Sequence, residues 1–131
     1  EAGRAAEVLT AAGLDVHQPP EDWLFKVYSD GAMVDVLFRL ASEPVDAVLL
    51  DRCVEQEVLS VRMPVVDATD LVIGKLAALN EHACDLSKVL PTARALREKV
   101  DWPRAEAATA WNDIAVACLF LLRRLRVVTE E

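Results

Sequence analysis

The sequence predicts an α+β fold, in which a small sheet is followed by a helical second half. Two observations support the sheet: a hairpin pattern at residues 23–38 and an alternating apolar segment at 58–63. A third observation is the helical spacing of apolar residues from position 67 onward. At 131 residues the chain is expected to form a single domain over residues 1–131, with a sheet-containing part at 1–66 and a helical part at 67–131.

The first predicted element is a helix over residues 2–12. Ala5, Val8, Leu9 and Ala12 fall on one face of it, which we expect to be buried. Gly13 is expected to end this helix, because a glycine adopts the left-handed conformation of a helix terminus without steric cost.

The hairpin pattern predicts both the pairing and the faces of two strands. Asp30 and Gly31 are typical of a two-residue turn, which places Lys26 opposite Asp35. Side chains alternate along a strand, so each face of the hairpin can be read from the sequence. The predicted apolar face holds Trp23, Phe25, Val27, Val34, Val36 and Phe38, and the other face holds Leu24, Lys26, Asp35 and Leu37.

Asp35 stands out because aspartate is depleted in strands and costly to bury without a partner. Two interpretations remain open from the hairpin alone. Asp35 forms only a cross-strand ion pair with Lys26, or it is a ligand of a metal ion whose other carboxylates come from elsewhere.

After the hairpin we expect a short helix within 43–51, a third strand at 58–63 that Pro64 ends, and a helix capped by Asp67. The predicted buried stripe of that helix is Leu71, Val72, Leu76 and Leu79. Lys75 lies on this stripe, either because its stem packs there while its ammonium reaches water, or because it contacts a phosphate.

Three further helices are predicted. One begins near Cys84-Asp85 and is either kinked or restarted by Pro91, one is capped at Asp101, and the last runs over 112–127. The last helix is expected to bury Ile114, Cys118, Leu121, Leu122 and Leu125, while Cys84 is expected in the core and His17 in a loop.

Composition excludes some classes of function. A net charge of −8 disfavours non-specific nucleic-acid binding. The chain has no run of 18 apolar residues and no basic segment ahead of an apolar one, so we expect no membrane association and a cytoplasmic location. Three widely spaced cysteines are typical of reduced thiols in such a protein.

Four segments together resemble a known family: residues 33–38, 58–65, 70–79 (Asp-Leu-Val-Ile-Gly-Lys-Leu-Ala-Ala-Leu) and Cys84-Asp85-Leu86. They are similar to nucleotidyltransferase-fold proteins, in particular to the small bacterial group related to the AbiEii-type toxin nucleotidyltransferases. The resemblance covers roughly residues 1–100. It implies a small mixed sheet with flanking helices and a C-terminal helical bundle.

The resemblance also implies roles for particular residues. Asp35 matches the third of three metal-binding carboxylates, which makes it the candidate catalytic residue and Mg²⁺ ligand. Lys75 matches a lysine that contacts nucleotide phosphates, and Asp85 matches an aspartate that orients it. Lys26, the cross-strand neighbour of Asp35, joins them as a candidate nucleotide-binding residue. The implied reaction is Mg²⁺-dependent transfer of a nucleotide from an NTP to an acceptor hydroxyl.

The family's Gly-Gly or Gly-Ser helix start and its Asp-x-Asp pair have no counterpart before Asp35. We expect these elements to lie upstream of Glu1, so this chain is expected to be incomplete or inactive. One aspartate alone supplies too little charge to hold Mg²⁺ tightly.

Each of these roles has an alternative. Asp85 is alternatively only a helix cap. A group of arginines either forms a basic patch for a nucleotide or RNA end, or lies on solvated helix faces: Arg94, Arg97, Arg123, Arg124 and Arg126. The whole chain is alternatively a non-catalytic interaction module. Implied partners are a nucleotide, an RNA or protein acceptor, an antitoxin and, through an unpaired sheet edge, a second copy.

Overall fold

The structure is a computed structural model that describes residues 2–40 and 43–128 of the chain. It is an α+β fold with a helical C-terminal part, as the sequence predicts. Backbone contacts group the chain into two units, Glu1–Asp46 and Ala47–Glu131. The single domain over 1–131 stays a prediction.

The first unit begins with helix α1, Ala2–Ala11. Gly13 has φ +85° and ends the helix as predicted, with its N–H donating to Thr10 O at 3.0 Å. The predicted buried face of this helix is wrong, because no residue of α1 is buried and Val8 is 61% exposed.

The hairpin is formed by β2, Leu24–Ser29, and β3, Ala32–Leu37. Asp30 and Gly31 both have positive φ, the conformation that a tight hairpin turn requires. Every cross-strand pair between the two strands matches the predicted register, including Lys26 opposite Asp35. The Phe38 N–H donates to Trp23 O at 3.0 Å, which continues the pairing beyond β3.

A third strand, β1 at Asp15–His17, pairs antiparallel with the other side of β2. The prediction that His17 lies in a loop is therefore wrong. Leu24 of β2 is buried although it was predicted on the charged face. Val34, on the predicted apolar face, is 60% exposed because β3 is an edge strand.

Short strands β4, Arg39–Leu40, and β5, Glu43–Pro44, pair at the end of the first unit. The second unit begins with the short helix α2, Ala47–Asp51, which lies inside its predicted range.

The predicted third strand at 58–63 contains the turn of a second hairpin, which is formed by β6, Val54–Val58, and β7, Val61–Val65. Its second half, 61–63, lies in β7 as a strand, whereas residues 59 and 60 form the turn. Leu59 and Ser60 adopt positive φ at this turn, where the sequence has no glycine to indicate such a conformation. Pro64 does not end the strand, because it lies opposite Glu55 within β7. A strand at the edge of a sheet tolerates a residue that cannot donate a hydrogen bond.

The expectation of one mixed sheet is also wrong for the described residues. Their strands form three separate sheets, and every pairing between them is antiparallel.

Helix α3, Ala68–Ala77, is capped by Asp67, whose carboxylate accepts from the Asp70 N–H. Val72, Leu76 and Leu79 are buried as predicted, whereas Leu71 is 37% exposed. The buried face of α3 also includes Thr69 and Asp70 near the helix start, whereas Leu71 is not part of it.

The predicted helix after Asp85 is divided into a 3₁₀ helix, Leu86–Lys88, and α4, Leu90–Leu96. Pro91 lies in the first turn of α4, where its missing N–H costs nothing. Helix α5, Trp102–Thr109, is capped by Asp101, and α6, Asp113–Arg124, is capped by Asn112.

The core of the second unit lies between these helices. Cys118 is buried there as predicted, and burial raises the pKa of its thiol. Cys84 and Leu125 are exposed, so their predicted burial is wrong. Cys84 follows the turn that begins at Asn80, and Leu125 lies beyond the last turn of α6, so neither is on an inward face. The other buried core residues include Val72, Leu76, Val89, Ala93, Trp102, Ala105, Ala115, Leu119 and Leu122.

No helix among the described residues is long and apolar enough to cross a membrane.

Candidate functional site

The candidate metal ligand Asp35 is already paired. Lys26 Nζ lies 2.7 Å from Asp35 Oδ1, and both side chains are about one third exposed. The hydrogen bond to this carboxylate is the main reason why the pKa of Lys26 is raised. The cross-strand ion pair, one of the two interpretations of the hairpin, is therefore present.

The surroundings of Asp35 do not fit a two-metal site. Across the residues that the structure describes, no group of three histidine, cysteine or acidic side chains could hold a metal ion. The strand next to Lys26 contributes His17, whose Nε2 lies 3.0 Å from Asp15 Oδ2, and whose ring packs edge-on against Tyr28. On this face of the sheet, Asp35 is paired with Lys26 and Asp15 contacts His17. This arrangement does not provide the cluster of carboxylates that holds Mg²⁺.

The other two candidates, Lys75 and Asp85, line the same pocket. Its volume is about 270 Å³, and it lies between the end of α3 and the 3₁₀ helix. Lys75 is in the last turn of α3 and is half-buried. The remaining lining residues are Ala78, Leu79, Ala83, Lys88 and Val89.

Asp85 has a cap role in this pocket. Its Oδ1 accepts from the Ser87 N–H at 3.0 Å and from the Ser87 hydroxyl at 2.6 Å. These bonds, with the hydroxyl contributing most, lower the pKa of Asp85. The helix-cap interpretation of Asp85 is therefore confirmed, whereas its orienting role toward Lys75 stays a prediction.

Lys75 and Lys88 form no salt bridge with any of the described side chains. Asp85 is the single carboxylate among the residues that line the pocket, so the lining carries a net positive charge in a protein of net charge −8. Positive charge beside an apolar wall suits an anion that carries an apolar body.

The most buried ionic group of the second unit was not recognised as such from the sequence. Asp70, in the first turn of α3, is 5% exposed. Its Oδ2 accepts from Arg52 Nε at 2.7 Å, its Oδ1 accepts from Arg52 Nη2 at 3.1 Å, and Arg104 Nη2 also donates to Oδ1. Arg104 additionally reaches the cap residue Asp67 at 3.4 Å.

These arginines join the residue that follows α2 and the first turn of α5 to the start of α3. The sequence showed Asp70 only as an acidic residue at the helix start. Its partners are 18 and 34 residues away, and no local pattern marks them.

The arginines of the predicted basic patch are partly engaged elsewhere. Arg97 pairs with its neighbour Glu98 at 3.2 Å, and Arg123 pairs with Glu106 of α5. Pairing with carboxylates lowers the positive charge that either side chain offers to a nucleotide or RNA end.

Comparison of the chain with protein-family models, with curated proteins and with solved structures finds no match. The resemblance to nucleotidyltransferases therefore stays a prediction.

Proposed function

We propose that the chain belongs to a nucleotidyltransferase-like protein and binds a nucleoside triphosphate in the pocket of Lys75 and Asp85. The observation that carries the proposal is the meeting of these residues. They are ten positions apart, were selected by the resemblance alone, and line one pocket together with a second lysine.

The pocket offers the chemistry that a nucleotide requires. The Lys75 ammonium supplies a positive charge without a salt-bridge partner among the described residues, which suits a phosphate oxygen. Leu79 and Val89 provide an apolar surface for the base or sugar. At about 270 Å³ the pocket is small for a whole NTP, so we expect part of the nucleotide to remain in solvent.

The reaction that we propose for the complete protein is transfer of the nucleotide to a hydroxyl of an RNA or protein acceptor. In such a transfer the hydroxyl oxygen attacks the α-phosphorus, diphosphate leaves and the hydroxyl proton is released. Mg²⁺ supplies charge neutralisation in reactions of this class. Because Asp35 alone does not fit that metal, no step of the transfer is assigned to this chain's own carboxylates.

Calorimetric titration of ATP and of CTP into the chain tests the proposal. Titrations with Mg²⁺, with EDTA, and into Asp35→Asn show whether binding depends on the lysine pocket alone or also on a metal ion at Asp35. We expect binding of at least one nucleotide that persists in EDTA and in Asp35→Asn, because Asp35 is paired with Lys26. Absence of binding under all conditions would contradict nucleotide binding by this chain.

A second candidate function is a non-catalytic interaction module, and the β6–β7 hairpin favours it. One face of this hairpin carries Val54, Val58, Val61 and Met63, all at least 37% exposed, with Gln56 as a polar residue among them. The opposite face carries Glu55, Glu57, Arg62 and Pro64. An isolated two-stranded hairpin is marginal in water, so covering its apolar face would stabilise it.

For this candidate we propose a second copy of the chain as the partner, since β6 and β7 pair only with each other among the described strands, which leaves an open edge on each. The molar mass from light scattering at micromolar concentration tests self-association, and a purely monomeric mass contradicts it. Val61→Ser should weaken association more than the control Arg62→Ser on the other face. An antitoxin as partner is a further proposal, which the resemblance supports. A cytoplasmic location is also a proposal, which the three free cysteines support.

A further inference from the structure

Lys88, which the resemblance does not select, lies in the same pocket as Lys75. Lys75 belongs to α3, whereas Lys88 is the last residue of the 3₁₀ helix that Asp85 caps. Two separate chain segments thus bring one ammonium group each to one pocket.

The two lysines differ in exposure, since Lys75 is half-buried and Lys88 is exposed. We therefore expect a phosphate chain that contacts Lys75 to place its outer end at Lys88. A single phosphate suits one of these positions, and a chain of phosphates suits both.

Asp85 offsets only part of this positive charge, because its carboxylate interacts with the charge of Lys88 without forming a salt bridge to it. Its Oδ1 is occupied by both hydrogen bonds from Ser87, which hold the carboxylate at the start of the 3₁₀ helix. Asp85 forms no salt bridge with either lysine within the described residues. Both ammonium groups therefore keep donors available for phosphate oxygens.

We infer that Lys88 determines specificity for the length of the phosphate chain, so that the pocket selects a nucleoside triphosphate over a monophosphate. This inference rests on the proposed function and deepens it. Lys75 holds the inner part of the phosphate chain, and Lys88 holds its outer end. A charge-assisted hydrogen bond of this kind changes affinity by roughly tenfold or more.

Titration of ATP, ADP and AMP into wild-type protein, Lys88→Gln and Lys99→Gln tests the inference. Lys99 is an exposed lysine outside the pocket, so its variant matches the change of charge without touching the lining. We expect Lys88→Gln to weaken ATP binding roughly tenfold and AMP binding less than about twofold. Lys99→Gln should leave the preference for ATP over AMP unchanged. Because Lys88 is exposed, we expect Lys88→Gln to fold, and a thermal unfolding transition for each variant checks that the variant is folded.

The outcomes separate the two proposals. If wild-type protein binds none of the three nucleotides, the proposed function itself is overturned. If wild-type protein binds ATP but Lys88→Gln loses ATP and AMP equally, or loses neither, only the role of Lys88 is overturned. Weaker binding of inorganic triphosphate to Lys88→Gln supports a contact with phosphate, and unchanged binding contradicts it.

Discussion

Lys26 donates to Asp35 across the hairpin at 2.7 Å, so the carboxylate that the resemblance assigns to a metal is neutralised by its neighbour on β2. The pair is an exposed arrangement rather than a buried one, since the two side chains are 30% and 39% exposed. Solvent screens such pairs, and their contribution to the free energy of unfolding is small.

A double-mutant cycle of Lys26→Gln and Asp35→Asn measures this contribution. We expect little coupling between the two substitutions in urea unfolding, because solvent screens exposed pairs. A loss for either single variant that disappears in the background of the other would contradict a screened surface pair. Because pairing raises the pKa of Lys26, its contribution is complete below the lysine's unfolded pKa of 10.5 and is lost as pH rises through the folded value.

Asp70 should matter more for stability than any other carboxylate of the second unit. Asp70→Asn leaves Arg52 and Arg104 facing a neutral, buried amide. We expect a loss of about 2–3 kcal/mol in the free energy of unfolding, below the 3–5 kcal/mol typical of fully buried pairs because both arginines are partly exposed.

The matched control for Asp70 is Asp113→Asn, since Asp113 is also an acidic residue in the first turn of a helix but is exposed. It should lose only the interaction with the helix dipole, about 0.3–1 kcal/mol. Equal losses in the two variants would show that the arginine contacts contribute little.

Asn112 is predicted to be a stronger cap than Asp101. Its Oδ1 accepts from the N–H groups of Ile114 and Ala115, and its Nδ2 donates to Leu79 O at 2.8 Å. Asn112→Ala removes both the cap and the link to the end of α3, so we expect a loss of about 2–3 kcal/mol. Asp101→Ala removes a cap alone and should cost about 1 kcal/mol.

The Asn112 comparison is measured by urea unfolding with tryptophan fluorescence. A cost for Asn112→Ala no larger than that for Asp101→Ala would contradict a tertiary role for the Asn112 amide.

The carboxyl of Asp85 should titrate below its ordinary value of 3.8, because Ser87 donates two hydrogen bonds to its charged form. Because the pKa of Asp85 is lower in the folded protein than in the unfolded chain, its ionised carboxylate stabilises the folded protein at pH values above the unfolded pKa. This contribution to the free energy of unfolding is lost as pH falls through the folded pKa. NMR titration of the side-chain carboxyl carbon measures the shift. Ser87→Ala should raise the pKa of Asp85, whereas Ser87→Thr should keep it low; an unchanged pKa in Ser87→Ala would exclude the hydroxyl as the main cause.

The β2–β3 register was predictable because its determinants are local. Asp30 and Gly31 define the turn, and alternation then places Lys26 opposite Asp35. The β6–β7 hairpin was not predicted, because its turn residues Leu59 and Ser60 have positive φ, a conformation that leucine and serine rarely adopt.

Elements that depend on distant partners were not predictable. The strand β1 has three residues, two of them polar, and exists by pairing with β2. The Asp70 cluster joins residues 18 and 34 positions apart, and the pocket lysine Lys88 meets Lys75 only after α3 and the 3₁₀ helix have folded. The starts of α3 and α5 were predictable, because Asp67 and Asp101 each cap through their own side chain. Asn112, predicted as the first residue of the last helix, is its cap.

The proposed binding of nucleotide phosphates in the pocket of Lys75 is tested by the dissociation constant of ATP for Lys75→Gln, measured beside wild-type protein and Lys99→Gln. We expect Lys75→Gln to weaken binding roughly tenfold or more, while Lys99→Gln, with the same loss of charge, changes it less than about twofold. Equal affinities in Lys75→Gln and wild-type protein would contradict the proposal and would place any bound nucleotide elsewhere on the chain.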